Sequence, residues 1–397
     1  MPEGERSDSS YGWYLATAGS WFGGIGLQQV MLPWLVVGEL RAGAQWVGAV
    51  QMASLLPGLL LLLVGGALAD RRDARRLLAW LHVLAALPPL VLAASLLTGR
   101  LSLAIVLTAA VAMGCLNAFS NPARDSLLSL VAGSNVMRAV TGATIAQFSS
   151  QGGGMLMAGA ARWLGNVPVL LAQALSVGLG ALLTRRLPAS EAALPGRGAS
   201  LAEYFVGLRI VVGGPLRSVL LLTCGIGLLF SASYNVVLPV LVREVYAGDV
   251  QDVSLVLLMF PLGTIGGSFV LLGRGGIRRK GRALAISLAV AAASVITAGL
   301  GLPFAAVVGA TLAWGLAGAV FLNMGRTLFQ ERAPEAERAR VLAVNHLGFM
   351  ATGPVGALVS GFVAAELGPR ATLVWFGAGM LLLVGLVTLA TDVARME

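Results

Sequence analysis

Gly65-Gly66-Ala67-Leu68-Ala69-Asp70-Arg71-Arg72-Asp73-Ala74-Arg75-Arg76 joins two long apolar runs, one near residues 45–69 and the other near 77–98. Four arginines and two aspartates arrive together after a run from Gln45 to Ala69 that carries no charge. Each flanking run reaches the ~20 residues that a helix needs to cross a ~30 Å hydrocarbon core. The quoted stretch therefore reads as a short polar hairpin between two membrane helices.

The same rhythm continues along the chain. Of 397 residues, 57% are hydrophobic and only 11% charged, where a soluble domain carries about 25%. So few charges cannot cover a water-soluble surface of this size. In a soluble protein the formal charge of +9 would suggest nucleic acid; here the charges fall between apolar runs and report topology, so no nucleic-acid partner is expected. Cys115 and Cys224 lie inside apolar runs, without disulfide or metal-ligand spacing, and neither metal nor cofactor is expected. Met1 to Ser10 is polar and acidic, unlike the basic flank of a signal peptide, so the first apolar run is expected to stay as a helix.

Twelve spans follow from the apolar runs. Six lie near 12–38, 45–69, 77–98, 101–123, 136–161 and 166–184, and six near 217–241, 252–272, 283–301, 303–325, 341–364 and 371–390. The expected fold class is an all-α membrane protein of two pseudo-symmetric six-helix bundles. The expected domains are 1–186 and 216–397, joined by a cytoplasmic linker at 187–215 with a short amphipathic helix around Leu201 to Ile210. With the N-terminus placed inside, arginines such as Arg71, Arg75, Arg76, Arg124, Arg326 and Arg340 fall on the cytoplasmic side, and only Arg41, Arg100, Arg162, Arg243 and Arg370 outside. That bias, roughly four to one, is what the positive-inside rule produces. Both termini are expected in the cytoplasm of a plasma (inner) membrane protein.

The two sets repeat. A shift of 202 residues, the separation of Asn121 and Asn323, also carries Gly65 onto Gly267, Arg72 onto Arg274, Arg124 onto Arg326, Arg138 onto Arg340, Gly154 onto Gly356 and Gly159 onto Gly361. Gly-Ile-Gly-Leu occurs at Gly24 to Leu27 and again at Gly225 to Leu228. Leu32-Pro33 and Leu238-Pro239 make a further pair whose offset is five residues larger. Glycine interruptions at matching places in two halves mark a hinge or a binding site, or coincide by chance. A parallel duplication of this kind places a substrate path between its halves.

The Gly66 to Arg76 stretch resembles the signature loop between helices 2 and 3 of the major facilitator superfamily. Asp73 stands where a second glycine is usual, and Ala74 replaces a basic residue. Asn121-Pro122-Ala123-Arg124-Asp125, and Gln330-Glu331-Arg332-Ala333-Pro334 with Arg338-Ala339-Arg340-Val341, resemble the 4–5 and 10–11 connections of its transmembrane secretion effector branch, which includes enterobactin exporters and macrolide efflux proteins. The resemblance implies a monomeric secondary transporter, working by alternating access and exporting a drug, siderophore or other small amphipathic metabolite. It also implies that Gly66, Asp70, Arg71, Arg75, Arg76, Arg124, Arg326 and Arg340 serve gating, although an ordinary solvated loop would look similar. The Gly-Pro pair frequent in helix 5 of such exporters stands here in helix 11, as Gly353-Pro354, and helix 4 has no central arginine.

In that superfamily helices 1, 4, 7 and 10 line the path, with 2, 5, 8 and 11 beside them. Polar residues within those spans make Gln28, Gln29, Asn117, Gln147, Gln151, Tyr234, Asn235 and Trp314 the candidate cavity lining. An interhelical hydrogen bond is the plainer role for each. No carboxylate falls at mid-membrane, which suits an amphipathic cargo better than a multivalent ion. Protons, as coupling ion, would use Glu39, Asp70 or His346, whereas His82 is expected at an interface. An uncoupled lipid or lysolipid facilitator of the same fold is the alternative. A membrane enzyme or sensor is the least supported, for want of a nucleotide loop or nucleophile–base spacing.

Overall fold

The computed structural model describes residues 3–61, 73–132, 136–189, 201–273 and 277–396. Among them every regular element is helical. In chain order these are α1 (Glu3–Trp34), α2 (Ala44–Leu60), α3 (Ala74–Leu97), α4 (Leu103–Val131), α5 (Val136–Gly159) and α6 (Asn166–Thr184). A linker helix, Leu201–Gly213, precedes α7 (Leu216–Glu244), α8 (Val250–Gly273), α9 (Lys280–Gly299) and α10 (Phe304–Arg332). One long stretch, Arg338–Ala390, is broken at Gly368 into α11 (338–367) and α12 (369–390).

Eight described stretches are long and apolar enough to cross a bilayer, with α11 and α12 counted as one. The helices α1 and α5 have the length but not the apolarity, because Gln28 and Gln29 occupy one and Gln147 and Gln151 the other. Large apolar side chains stand on the exterior of the spans: Trp80, Phe269 and Trp375 are each about two-thirds exposed. Such a surface is stable only against lipid.

Local chemistry explains the boundaries. Asp73, the residue standing where a glycine is usual, caps α3 by accepting from the Arg75 amide at 3.0 Å. The turns before α4 and α10 pivot on Gly99 (φ 65°) and Gly301 (φ 75°), a left-handed conformation that glycine adopts without strain. Those two positions are again 202 residues apart. Pro33 and Pro239 accompany π-helical turns at Leu35–Glu39 and Ser233–Val237. Such turns are where the helical ladder is locally rewritten.

The chain forms two compact units. The first comprises Met1–Leu40, Ala53–Ala199 and Asp249–Ser254; the second comprises Arg41–Met52, Ser200–Gly248 and Leu255–Glu397. Each therefore takes in the first turns of one helix, α8 or α2, from the other half of the sequence.

Within the first unit α1 packs on α5 and α6, and α3 on α4 and α6. A Cβ on Gly24 would strike Val177 of α6, and one on Gly26 the Gln151 carbonyl of α5. Within the second unit the same sequence does the same work: Gly225 faces Met380 and Leu383 of α12, and Gly227 the Phe349 carbonyl of α11. The two Gly-Ile-Gly-Leu motifs are thus matched crossing points on continuous helix. The irregular turns lie instead beside the two prolines.

Candidate substrate site

In the first unit the candidate amides lie on α1, α4 and α5. Gln151 Nε2 donates to Gln29 Oε1 at 2.7 Å, and the Trp21 indole donates to Asn117 Oδ1 at 3.1 Å. Gln147 is half-buried on α5. Gln28 faces elsewhere, into a small interior cavity with Met31, Pro88, Pro89, Met113 and Gln173, and its Oε1 has no partner among the described residues.

Arg124 is the unexpected member of this unit. Only 3% exposed, it bonds Asn121 Oδ1 and lies 5.2 Å from the Trp21 ring and 4.5 Å from the Phe22 ring. Its Nη1 has no acceptor among the described residues. Two aromatic faces lie against its guanidinium. His82 is buried too, contrary to the interfacial place expected of it. Its Nδ1 is 2.8 Å from the Val177 carbonyl and its ring stands edge-on to Trp21 at 5.0 Å. Gly180 of α6 leaves the space that admits this ring.

The second unit gathers rings instead. Phe230 stacks on Tyr234 at 4.7 Å, Phe260 lies 5.0 Å from Phe230, and Trp314 meets Phe230, Tyr234 and Phe260 edge-on at 5.6–6.2 Å. Phe349 adds a fifth ring, 6.1 Å from Phe230. Tyr234 and Trp314 are buried, while Phe230, Phe260 and Phe349 keep accessible surface.

Two prolines explain the polar contacts around this cluster. Pro261 has no N–H for the Leu257 carbonyl four residues back, and the Tyr234 hydroxyl donates to it at 2.5 Å. Pro239 likewise has none for the Asn235 carbonyl, which accepts from Gln51 Nε2 at 3.2 Å. The Asn235 side chain is half-buried in the π-turn.

The expected gating residues are dispersed. Gly66, Asp70 and Arg71 lie outside the described residues. Arg75 Nη1 donates to the Leu187 carbonyl at 3.2 Å, and Arg76 approaches Asp73 at 3.6 Å. Arg326 is exposed on α10, and Arg340 pairs with Glu337 at 2.5 Å. Of the coupling candidates, Glu39 is exposed and accepts from Asn166 at 2.6 Å, and His346 is exposed on α11.

The sequence profile of the family described as "transmembrane secretion effector" matches residues 12–397. This chain belongs to that family, within the major facilitator superfamily. Solved structures of the same fold agree. The nucleoside transporter NupG superposes with a TM-score of 0.70 at 15% identity, covering 97% of each chain. The human organic anion transporter MFSD10 gives 0.68 at 16%, covering 98% of this chain and 100% of its own. A POT family transporter in complex with 5-aminolevulinic acid gives 0.73 at 12%, covering 97% and 96%. A search of curated proteins returned no significant match. The chain is thus a multi-pass membrane transporter, with a small molecule as its cargo.

Several residues of the interior escaped the sequence reading. Phe230 carried a signal, since it stands four positions before the candidate Tyr234 on one helix face. Trp21, Phe22, Phe260 and Phe349 carried none, because aromatic residues are ordinary in apolar spans.

Proposed function

We propose that the protein is an exporter of a small amphipathic molecule bearing a planar aromatic group, acting as a monomer through alternating access across twelve spans. The partly accessible cluster of Phe230, Tyr234, Phe260, Trp314 and Phe349 is the observation that carries this reading. Ring faces hold planar apolar groups without fixing one hydrogen-bond pattern. The amides Gln29, Asn117, Gln147 and Gln151, with Asn235, supply the polar contacts, and Gln28 braces α1 against α3, α4 and α6. The arginine bias supports an inner-membrane orientation with both termini in the cytoplasm, and the domains 1–186 and 216–397 are the rocking bodies about the 187–215 linker. Gating falls to Gly66, Asp70, Arg71, Arg75 and Arg76 with Arg124, Arg326 and Arg340. Proton drive would run through Glu39, Asp70 or His346.

Reconstitution into vesicles tests this reading with a fluorescent planar dye such as rhodamine 6G under an imposed proton gradient. Uptake into inside-out vesicles is expected. Phe230→Gln should reduce it about tenfold, since a ring contact is worth ~0.5–1.5 kcal/mol. Failure to move any planar amphipathic probe would sink the proposal. Uptake that persists after the gradient is collapsed would favour the uncoupled lipid facilitator. The lack of a mid-span carboxylate in the sequence keeps that second reading in play.

A further inference from the structure

Where α3 begins and α6 ends, Arg75, Arg76, Ala79, Trp80 and Val83 of α3 face Ala181 and Arg185 across a groove of about 430 Å³. Its chemistry is graded. Ala79 and Val83 lie one and two turns beyond the arginines of α3, and Ala181 one turn before Arg185, so the wall passes from cationic to apolar along the helix axes. Among the described residues the cationic end sets three arginines against one carboxylate, Asp73. Arg75 is engaged by the Leu187 carbonyl and lies 4.0 Å from Asp73, and Arg76, with its side chain 80% exposed, has among the described residues only the same Asp73 at 3.6 Å, which also caps α3. Arg185 is exposed and forms no ion pair among the described residues. Trp80, 69% exposed, stands at the rim where an amphipathic ring meets headgroups. Below it Val83 and Leu182 are also turned outward.

We propose that this groove binds the phosphate of an anionic membrane phospholipid. Arg76 and Arg185 hold the phosphate oxygens while an acyl chain runs along Ala79, Val83 and Ala181. A free phosphate would use the arginines alone and leave the apolar wall empty. A zwitterionic lipid would fill the wall but bring its own cation to the arginines.

Native mass spectrometry of the full-length protein in detergent separates these cases. Phosphatidylglycerol should be retained about tenfold over phosphatidylcholine of the same chains, and R76Q/R185Q should abolish that preference. The single variant R185Q, at an exposed position where folding is not at stake, should lose part of it, while R100Q at the opposite end of α3 should lose none. Equal retention of the two lipids overturns the proposal, as does an undiminished preference in the double variant. Displacement of the lipid by millimolar inorganic phosphate overturns it too, because the groove would then be a site for a free anion.

Discussion

At the α1–α5 crossing Gly26 and Gly154 bring two backbones together, and Gln29, Gln147 and Gln151 line the adjoining face. At the α7–α11 crossing Gly227 and Gly356 do the same, but Phe230 stands at the position related to Gln29 and Phe349 at that related to Gln147. The offsets are 201 residues for the first helix of each pair and 202 for the second. Arg124 and Arg326 diverge in the same way. One is buried on two rings, while the other is exposed, with Leu222 and Thr223 at the places of Trp21 and Phe22. Duplication has kept the crossings and exchanged the chemistry, amides and a cation in one unit for rings in the other. The two units thus carry unlike interiors on the same helical framework.

The crossings should show the largest effect when broken. Gly26→Val and Gly227→Val each drive a branched side chain into a facing carbonyl, where backbone has to move. Each should cost more than ~3 kcal/mol and remove the monodisperse peak on size exclusion. Gly153→Ala and Gly379→Ala meet open space and should leave that peak unchanged. If only one of the two crossing variants failed, the crossings would not be equivalent.

How far the sequence could be read follows from the same contrast. The apolar spans and the paired glycines were legible because each is a requirement of the bilayer or of backbone approach, and both leave a local mark. The roles of the glycines were not. Gly-Ile-Gly-Leu reads alike as a hinge or as a contact until Val177 and Gln151 are seen against it. His82 was misplaced because nothing local reveals that Gly180, 98 residues away, vacates room for its ring. The carbonyl debts of Pro239 and Pro261 could be inferred, but not that Gln51 and Tyr234 would settle them.

That last point yields a smaller effect, specific to the aromatic unit. Tyr234→Phe keeps the stack on Phe230 and strands the Leu257 carbonyl, at a cost of ~1–2 kcal/mol and a Tm lower by a few degrees. Pro261→Ala restores an amide that can reach the same carbonyl within α8. In the double variant the Tyr234→Phe penalty should therefore nearly vanish. Simple additivity of the two changes would mean that the hydroxyl's bond to Leu257 contributes nothing.

The smallest effect separates the two related arginines. Arg124 is held by ring faces and by Asn121, and among the described residues one of its nitrogens has no acceptor, so there its buried charge lacks full compensation. Lysine retains that charge but loses the flat face that stacks on Trp21 and Phe22, whereas methionine gives up the charge and its desolvation together. Arg124→Lys should therefore lower Tm more than Arg124→Met does, by the equivalent of ~1 kcal/mol, reversing the usual rank of a conservative change. The same pair of substitutions at exposed Arg326 should leave Tm unchanged. Transport supplies the second readout. If Arg124 serves gating, Arg124→Met should lose turnover while keeping its stability, and a variant that keeps both would reduce this cation to a remnant of the duplicated loop.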